Sequence, residues 1–318
     1  MKRKFLTIFI TTLLTTSILS GCSDDKDTDK EAYRQYGINC IENGDYENAV
    51  DAFQKALDQS IGSVGEEELD ICFYKAKAQY LSGDVDAAIE TYTAIIEYND
   101  DAQAYFLRGA IYFAQDNKEK GMKDFETAIE EDEDNYDIYI GIYETLVKYD
   151  MSEDAYGYLE KALEIEGDDA VDYMNKGRIN AMMGDYETSV KNLQKAVEGN
   201  EVKANYYLGQ TYSMMGDKDS AKAAYQAYID SGEVDSYALN SMGQAQMDDA
   251  EYDTAVTYFL AALELDEVPN RQTVMKNLII AYEYSGDFEN AKITMNEYLE
   301  DYPDDEDAIR ESEFLETR

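Results

Sequence analysis

The chain has no histidine and no tryptophan, only two prolines and three cysteines, and just 27 basic residues against 69 acidic ones. Each shortage closes a class of function. Without histidine there is no Ser-His-Asp triad, no Cys-His pair and no HExxH zinc site. The commonest general acid–base side chain is missing as well. A net charge of -42 and a pI near 4.1 remove the basic footprint that holds a phosphate backbone, so no nucleic-acid partner is expected. What is present points the other way. Apolar residues make up 44% of the 318, enough to build a core, so the acidity does not signify disorder. Tyrosine is abundant, at 29.

The first residues read as an address. Lys2, Arg3 and Lys4 are followed by the apolar, threonine-rich run Phe5 to Ser20. That run is short for a membrane span, which needs about 20 residues, and suits a secretory h-region. It closes on Leu19, Ser20, Gly21 and Cys22, and the chain then turns polar at Ser23, Asp24 and Asp25. This close resembles the bacterial lipoprotein box. The resemblance implies a signal peptide over 1–21 and lipidation of Cys22. Residues 22–30 then form a short acidic linker, and the protein is held at the extracytoplasmic face of the cell membrane by acyl chains. Loss of Lys2, Arg3 and Lys4 takes the net charge from -42 to -45. Cys40 and Cys72 fall at apolar helical positions about seven residues out of step, roughly 10 Å of rise, which is too far for a bridge. They are expected as buried free thiols.

The strongest signal is a period. Gly44-Asp45-Tyr46, Gly83-Asp84, Gly184-Asp185-Tyr186, Gly216-Asp217 and Gly286-Asp287-Phe288 repeat one phrase, and weaker copies begin at Asp116, Asp150 and Ala250. Successive starts are 39, 33, 34, 34, 32, 34 and 36 residues apart. Glycine takes the left-handed conformation that ends a helix, and the following Asp caps the next one. Five places after the Gly a small residue recurs, as at Ala49 and Ala88, and four further on a large one: Phe53, Tyr92, Phe125, Leu159, Leu193, Tyr225, Phe259 and Met295. Seven places before the turn stand Gly37, Ala76, Gly109, Gly177, Gly209 and Gly243. These spacings are helical, and the small residues mark where two helices approach closely.

The pattern resembles the tetratricopeptide repeat, a helix-turn-helix unit of about 34 residues. The resemblance covers residues 31–303 and implies an all-α, right-handed superhelical solenoid of about eight repeats. Residues 304–318 are expected as a C-terminal capping helix, with Ala308, Ser312 and Leu315 over the last repeat. The sequence departs from the family in having no Trp and only Pro303 as a closing proline. The fourth copy is weakest, with Tyr143 at a small-residue site.

In that family, segments of partner proteins bind the concave face lined by the first helices. Helical offsets place Arg34, Phe73, Phe106, Ile140, Met174, Tyr206 and Asn240 there, ten residues before each turn, together with Tyr80 and Phe113 three before it. Lys77, Arg178, Gln210, Tyr237 and Gln244 extend the lining. A clamp for acidic C-termini would need Asn where Ile38 stands, so that variant of the groove is not expected. The alternative use of the aromatic stripe is packing between repeats. The acidic runs 130–134 and 304–307 lack a calcium-hand loop and read as solvated helix ends. No catalytic, metal or cofactor site is expected. The function implied is a lipid-anchored, non-catalytic scaffold for protein or peptide partners. The alternative is a structural subunit of an envelope assembly or secretion machine. A carboxylate-based wall hydrolase and a soluble-ligand receptor stand further back, because no acidic pair is singled out.

Overall fold

A computed structural model describes residues 23–60, 64–232, 234–265 and 268–318. The expected signal peptide and Cys22 lie outside the described residues. Among those described there are 17 helices and no strand. The first unit, ending at Ile165, holds four antiparallel pairs. These are α1 (Ser23–Glu42) with α2 (Tyr46–Asp58), α3 (Glu66–Leu81) with α4 (Val85–Asn99), α5 (Ala102–Ala114) with α6 (Lys118–Glu131), and α7 (Tyr136–Lys148) with α8 (Ser152–Leu163). The second unit, from Glu166, holds α9 (Ala170–Met182) with α10 (Tyr186–Glu198), α11 (Ala204–Met215) with α12 (Lys218–Asp230), α13 (Ser236–Asp248) with α14 (Tyr252–Leu263), α15 (Arg271–Ser285) with α16 (Phe288–Asp301), and a closing α17 (Glu306–Leu315). The sequence reads as one continuous array, whereas the structure divides it after the fourth pair.

The repeated phrase acts as its chemistry requires. Gly44, Gly83, Gly184, Gly216 and Gly286 all have positive φ. The side chains of Asp84, Asp185, Asp217 and Asp287 accept from backbone N–H groups in the first turn of the next helix. The three weaker copies keep the same backbone without glycine: Asp116, Asp150 and Ala250 have φ of 58°, 60° and 61°. A left-handed residue with a Cβ costs about 1–2 kcal/mol, so packing of the flanking helices holds these turns.

The small-to-large register sets how closely the pairs pack. Every large residue nine places after the turn start is buried, from Phe53 to Met295. Where a glycine stands seven places before the turn, it leaves no room for a side chain. A Cβ on Gly209 would lie 2.4 Å from the Tyr225 ring, and one on Gly243 2.4 Å from Phe259. Successive pairs share cores: Met174 of α9 clusters with Leu193 and Leu208, and Leu239 of α13 with Phe259 and Leu278. The last repeat is covered by α17, whose Ala308 and Leu315 pack with Met275, Ile279 and Tyr298.

The N-terminal linker departs from expectation. Residues from Ser23 onward are the opening turns of α1. Lys30 is buried there, 2.6 Å from Glu67 and 3.0 Å from Glu68. Glu68 also accepts from Ser60 at 2.9 Å and from the Gly65 amide at 2.8 Å. The long first interval of the repeat thus carries a polar clasp that fastens α1 to the start of α3. Cys40 and Cys72 are both free, and burial pushes the Cys72 thiol up to about 11, far from a reactive thiolate.

Candidate functional site: a groove on the first helices

A groove of about 640 Å³ lies in the first unit. It is walled by Asp70, Phe73, Tyr74, Lys77 and Tyr80 of α3, by Leu107, Ala110 and Ala114 of α5, and by Thr145 and Lys148 of α7 with Tyr149 behind them. The first helices supply most of this wall because the second helices bury their small and large residues against them. The floor is Phe73, tilted on Tyr92 with ring centres 6.0 Å apart. Burial pushes the Tyr92 hydroxyl up to about 12, so it stays neutral.

The charges on this groove are unusual for so acidic a chain. Asp70 is already engaged: Arg34 Nε donates to its Oδ2 at 2.7 Å, and the guanidinium lies 5.4 Å above the Tyr74 ring. Lys77 is exposed and has no carboxylate partner among the described residues. Lys148 sits beside the Tyr149 ring at 5.8 Å. Two ammonium groups therefore border an aromatic floor. The arrangement can hold an apolar anchor and pair with carboxylates next to it.

The structure brings together Phe73, Lys77 and Tyr80 of the expected lining, with Arg34 behind Asp70. It moves others inward. Phe113 is 1% exposed, stacked at 5.2 Å on Phe125 in the space left by Gly121, and so belongs to the core. Ile140 and Met174 are buried as well, with Met174 filling the contact between α9 and α11. Asn240 is buried and accepts from Asn277 Nδ2 at 2.8 Å, a bond between neighbouring repeats. Phe106 is half-buried, lies on Gly141 and stacks on Phe125 at 5.7 Å.

In the second unit, Tyr206 packs among Tyr207, Tyr225 and Tyr228 and accepts from Gln210 at 2.8 Å. Burial raises its hydroxyl to about 12. Arg178 lies 4.8 Å over the Tyr207 ring and donates to Asn175. Tyr237 and Gln244 are exposed, and Gln244 borders a smaller hollow of about 310 Å³ with Met247 and Ile280.

The sequence reading missed Lys148, Tyr149, Tyr74 and Leu107. Lys148 and Tyr149 stand two and one residues before the turn at Asp150, so an offset series carried two places further would have reached them. Among the described residues no group of three or more acidic or cysteine side chains is placed to hold a metal ion.

Models of the tetratricopeptide repeat match residues 41–111, 102–135, 203–231 and 240–306, together more than half of the chain. Among solved structures, the chain is similar to a tetratricopeptide repeat protein from Parabacteroides merdae, at 15% identity over 80% of this chain and 99% of that one, with a TM-score of 0.50. It is also similar to the Cut9–Hcn1 hetero-tetramer of the APC/C, at 13% identity over 92% of this chain and 56% of that one, with a TM-score of 0.50. A weaker likeness is to YrrB, described as having an unusual peptide-binding site, at 23% identity over 59% of this chain and 97% of that one, with a TM-score of 0.40. At such identities the likeness is one of fold. No curated protein matches the sequence.

Proposed function

The chain belongs to the tetratricopeptide-repeat family, and from that premise we propose that it is a non-catalytic scaffold, lipid-anchored on the outer side of the cell membrane, that captures segments of partner proteins. The groove over α3, α5 and α7 carries the binding part of this reading. The observation behind it is a pair of lysines, Lys77 and Lys148, beside the aromatic floor of Phe73 and the exposed Tyr80 of its wall, on a chain with a net charge of -42. The segment that suits it presents an aromatic or aliphatic anchor next to an acidic residue. Buried aromatic contact supplies affinity, and the ammonium groups supply register.

The anchoring part rests on the basic start, the 5–20 apolar run and Cys22. No helix among the described residues is long and apolar enough to cross a membrane. Two or more acyl chains give stable attachment where one gives only marginal binding.

Two outcomes follow. Expressed in a host that lipidates such boxes, the full chain takes up labelled palmitate and sediments with membranes. Cys22→Ser abolishes the label and shifts the protein from the membrane fraction. An unlabelled wild-type chain sinks the anchor and leaves the groove untouched.

For the groove, residues 23–318 serve as bait on detergent-solubilised envelope. The paired bait carries Lys77→Glu and Lys148→Glu, both at exposed positions, so the fold is retained. Partners that leave only the paired bait identify the groove's ligand. An identical set on both baits removes the groove from the reading.

A further inference from the structure

The second unit carries an apolar feature that the groove does not use. Met182 and Met183 directly precede the turn at Gly184, Met214 and Met215 that at Gly216, and Met247 stands three residues before Ala250. Five of the chain's 12 methionines thus sit at the turn ends of three successive first helices. In the first unit the residues just before the turns are Glu42 and Asn43, Leu81 and Ser82, Ala114 and Gln115, and Lys148 and Tyr149, with no methionine.

Met214 is 57% exposed and Met215 49%, so neither is spent on the core. At the equivalent place in α15 stands Tyr284, 65% exposed and stacked on Tyr252 at 5.3 Å, with exposed Ile280 one turn earlier. Consecutive repeats of this unit share cores, so residues at one offset from the turn, among them half-buried Met182, exposed Met214 and Tyr284, fall along one edge; Met247 stands one place further from its turn and packs on the core of α13 and α14, with Asp248 at the shared offset.

We propose that this methionine edge of the second unit is a docking surface for a basic amphipathic helix of a partner protein. The apolar side is met by methionine, whose unbranched, polarizable side chain adapts to the ridges of a helix. The basic side is met by the acids that border the same turns: Asp185, Asp217, Asp219, Asp248, Glu251 and Asp253. The cations close by are already engaged: Lys218 and Lys222 both pair with Asp249. Charge also disfavours the other occupants. A second copy would bring another -42 to the contact, and an anionic lipid surface would be repelled in the same way. The binding mode is a helix laid in an apolar track, read at i, i+3, i+4 and i+7. It does not depend on the groove of the first unit.

The test uses residues 23–318, which contain every described helix. The probe is a fluorescein-labelled peptide of about 18 residues built from Leu and Lys, with Leu on one helical face. A scrambled peptide of the same composition is the control. Anisotropy titration is expected to show at least tenfold tighter binding of the amphipathic peptide. Met214→Gln with Met215→Gln keeps size and helix preference and is expected to weaken it about tenfold, while Lys77→Glu with Lys148→Glu does not weaken it. Bound peptide should also protect Met214 and Met215 from oxidation by dilute peroxide, read by mass spectrometry.

Equal binding of the scrambled peptide, or an unchanged affinity in the methionine variant, overturns the proposal, since attraction would then be charge alone. A dimer in sedimentation that dissolves in the same variant overturns the choice of occupant. Binding that is strengthened by Lys77→Glu with Lys148→Glu and unchanged in the methionine variant transfers the site to the groove, where the new carboxylates attract the basic probe.

Discussion

Asp124→Ala is expected to destabilise the first unit by about 3 kcal/mol, the largest single effect of any side chain outside the apolar core. Arg108 of α5 donates from Nε and Nη2 to both oxygens of Asp124 in α6, at 2.7 and 2.8 Å, and from Nη1 to Thr93 of α4 at 2.9 Å. Its guanidinium lies 5.5 and 5.9 Å from the Tyr105 and Tyr112 rings. The two side chains are 14% and 8% exposed, so the alanine variant leaves a guanidinium with little water and no carboxylate. Removing both charges is a different matter. Arg108→Met with Asp124→Leu fills the space with apolar atoms and is expected to recover most of the loss, because the desolvation of the pair disappears with it. Urea unfolding of Arg108→Met, Asp124→Leu and the double variant measures the coupling directly. A loss below about 1 kcal/mol for Asp124→Ala would mean that Arg108 swings out to water, and that the bidentate pair is ornamental to stability.

The second large effect depends on pH. Glu283→Gln is expected to raise the thermal stability of the second unit at pH 8.5 and to do much less at pH 5.5. Glu283 follows Ile279 by one turn on the α15 face that meets α17, and Glu311 lies between Ala308 and Leu315 on the facing side of α17. One oxygen of Glu283, Oε1, is buried with no hydrogen-bond partner. Burial first, and then the Glu311 carboxylate, push its acid up to about 7 from an ordinary 4.5. The cations nearby are taken: Lys276 pairs with Asp305 at 2.6 Å, Arg310 with Asp307, and Arg318 lies over Phe288 and Phe314.

The folded chain therefore keeps a proton that the unfolded chain gives up between about 4.5 and 7. Native protons exceed unfolded ones in that window, so stability falls as pH rises through it and stays lower above it. Glutamine cannot ionise, so its advantage grows across the same window. Discounted for solvent screening, the gain is about 1–2 kcal/mol, or a few degrees in Tm. A gain of the same size at both pH values would trace it to helix preference and not to the carboxyl pair.

Much of the architecture was legible in the chain because its rules are local. A glycine that ends a helix, an Asp that caps the next and a small residue facing a large one are decided within one repeat, and recurrence confirms each. The register held even at Asp116, Asp150 and Ala250, where no glycine marks the turn. The groove was only partly legible. Phe73 and Phe106 share one offset from their turns, yet Phe73 lines a groove and Phe106 is wedged on Gly141. The difference lies in the next repeat, in what that helix leaves open. The same holds for Phe113, drawn inward by the absence of a side chain at Gly121, and for Tyr80, which stays outside at the equivalent position.

The sequence by itself thus determined the repeat, its length, its turns and the residues of its core, since those follow from backbone conformation and from small-to-large contacts that recur at one fixed spacing inside each repeat, as between Gly209 and Tyr225. Only the tertiary structure decided which first-helix side chains reach solvent, where Arg108 finds Asp124, how Lys30 is clasped by Glu67 and Glu68, and that Glu283 faces Glu311. Those pairings join residues 16 to 38 positions apart, on different helices and mostly in different repeats. Whether a charge is buried or met there depends on the size and reach of its neighbours across the interface, which no period along one chain records.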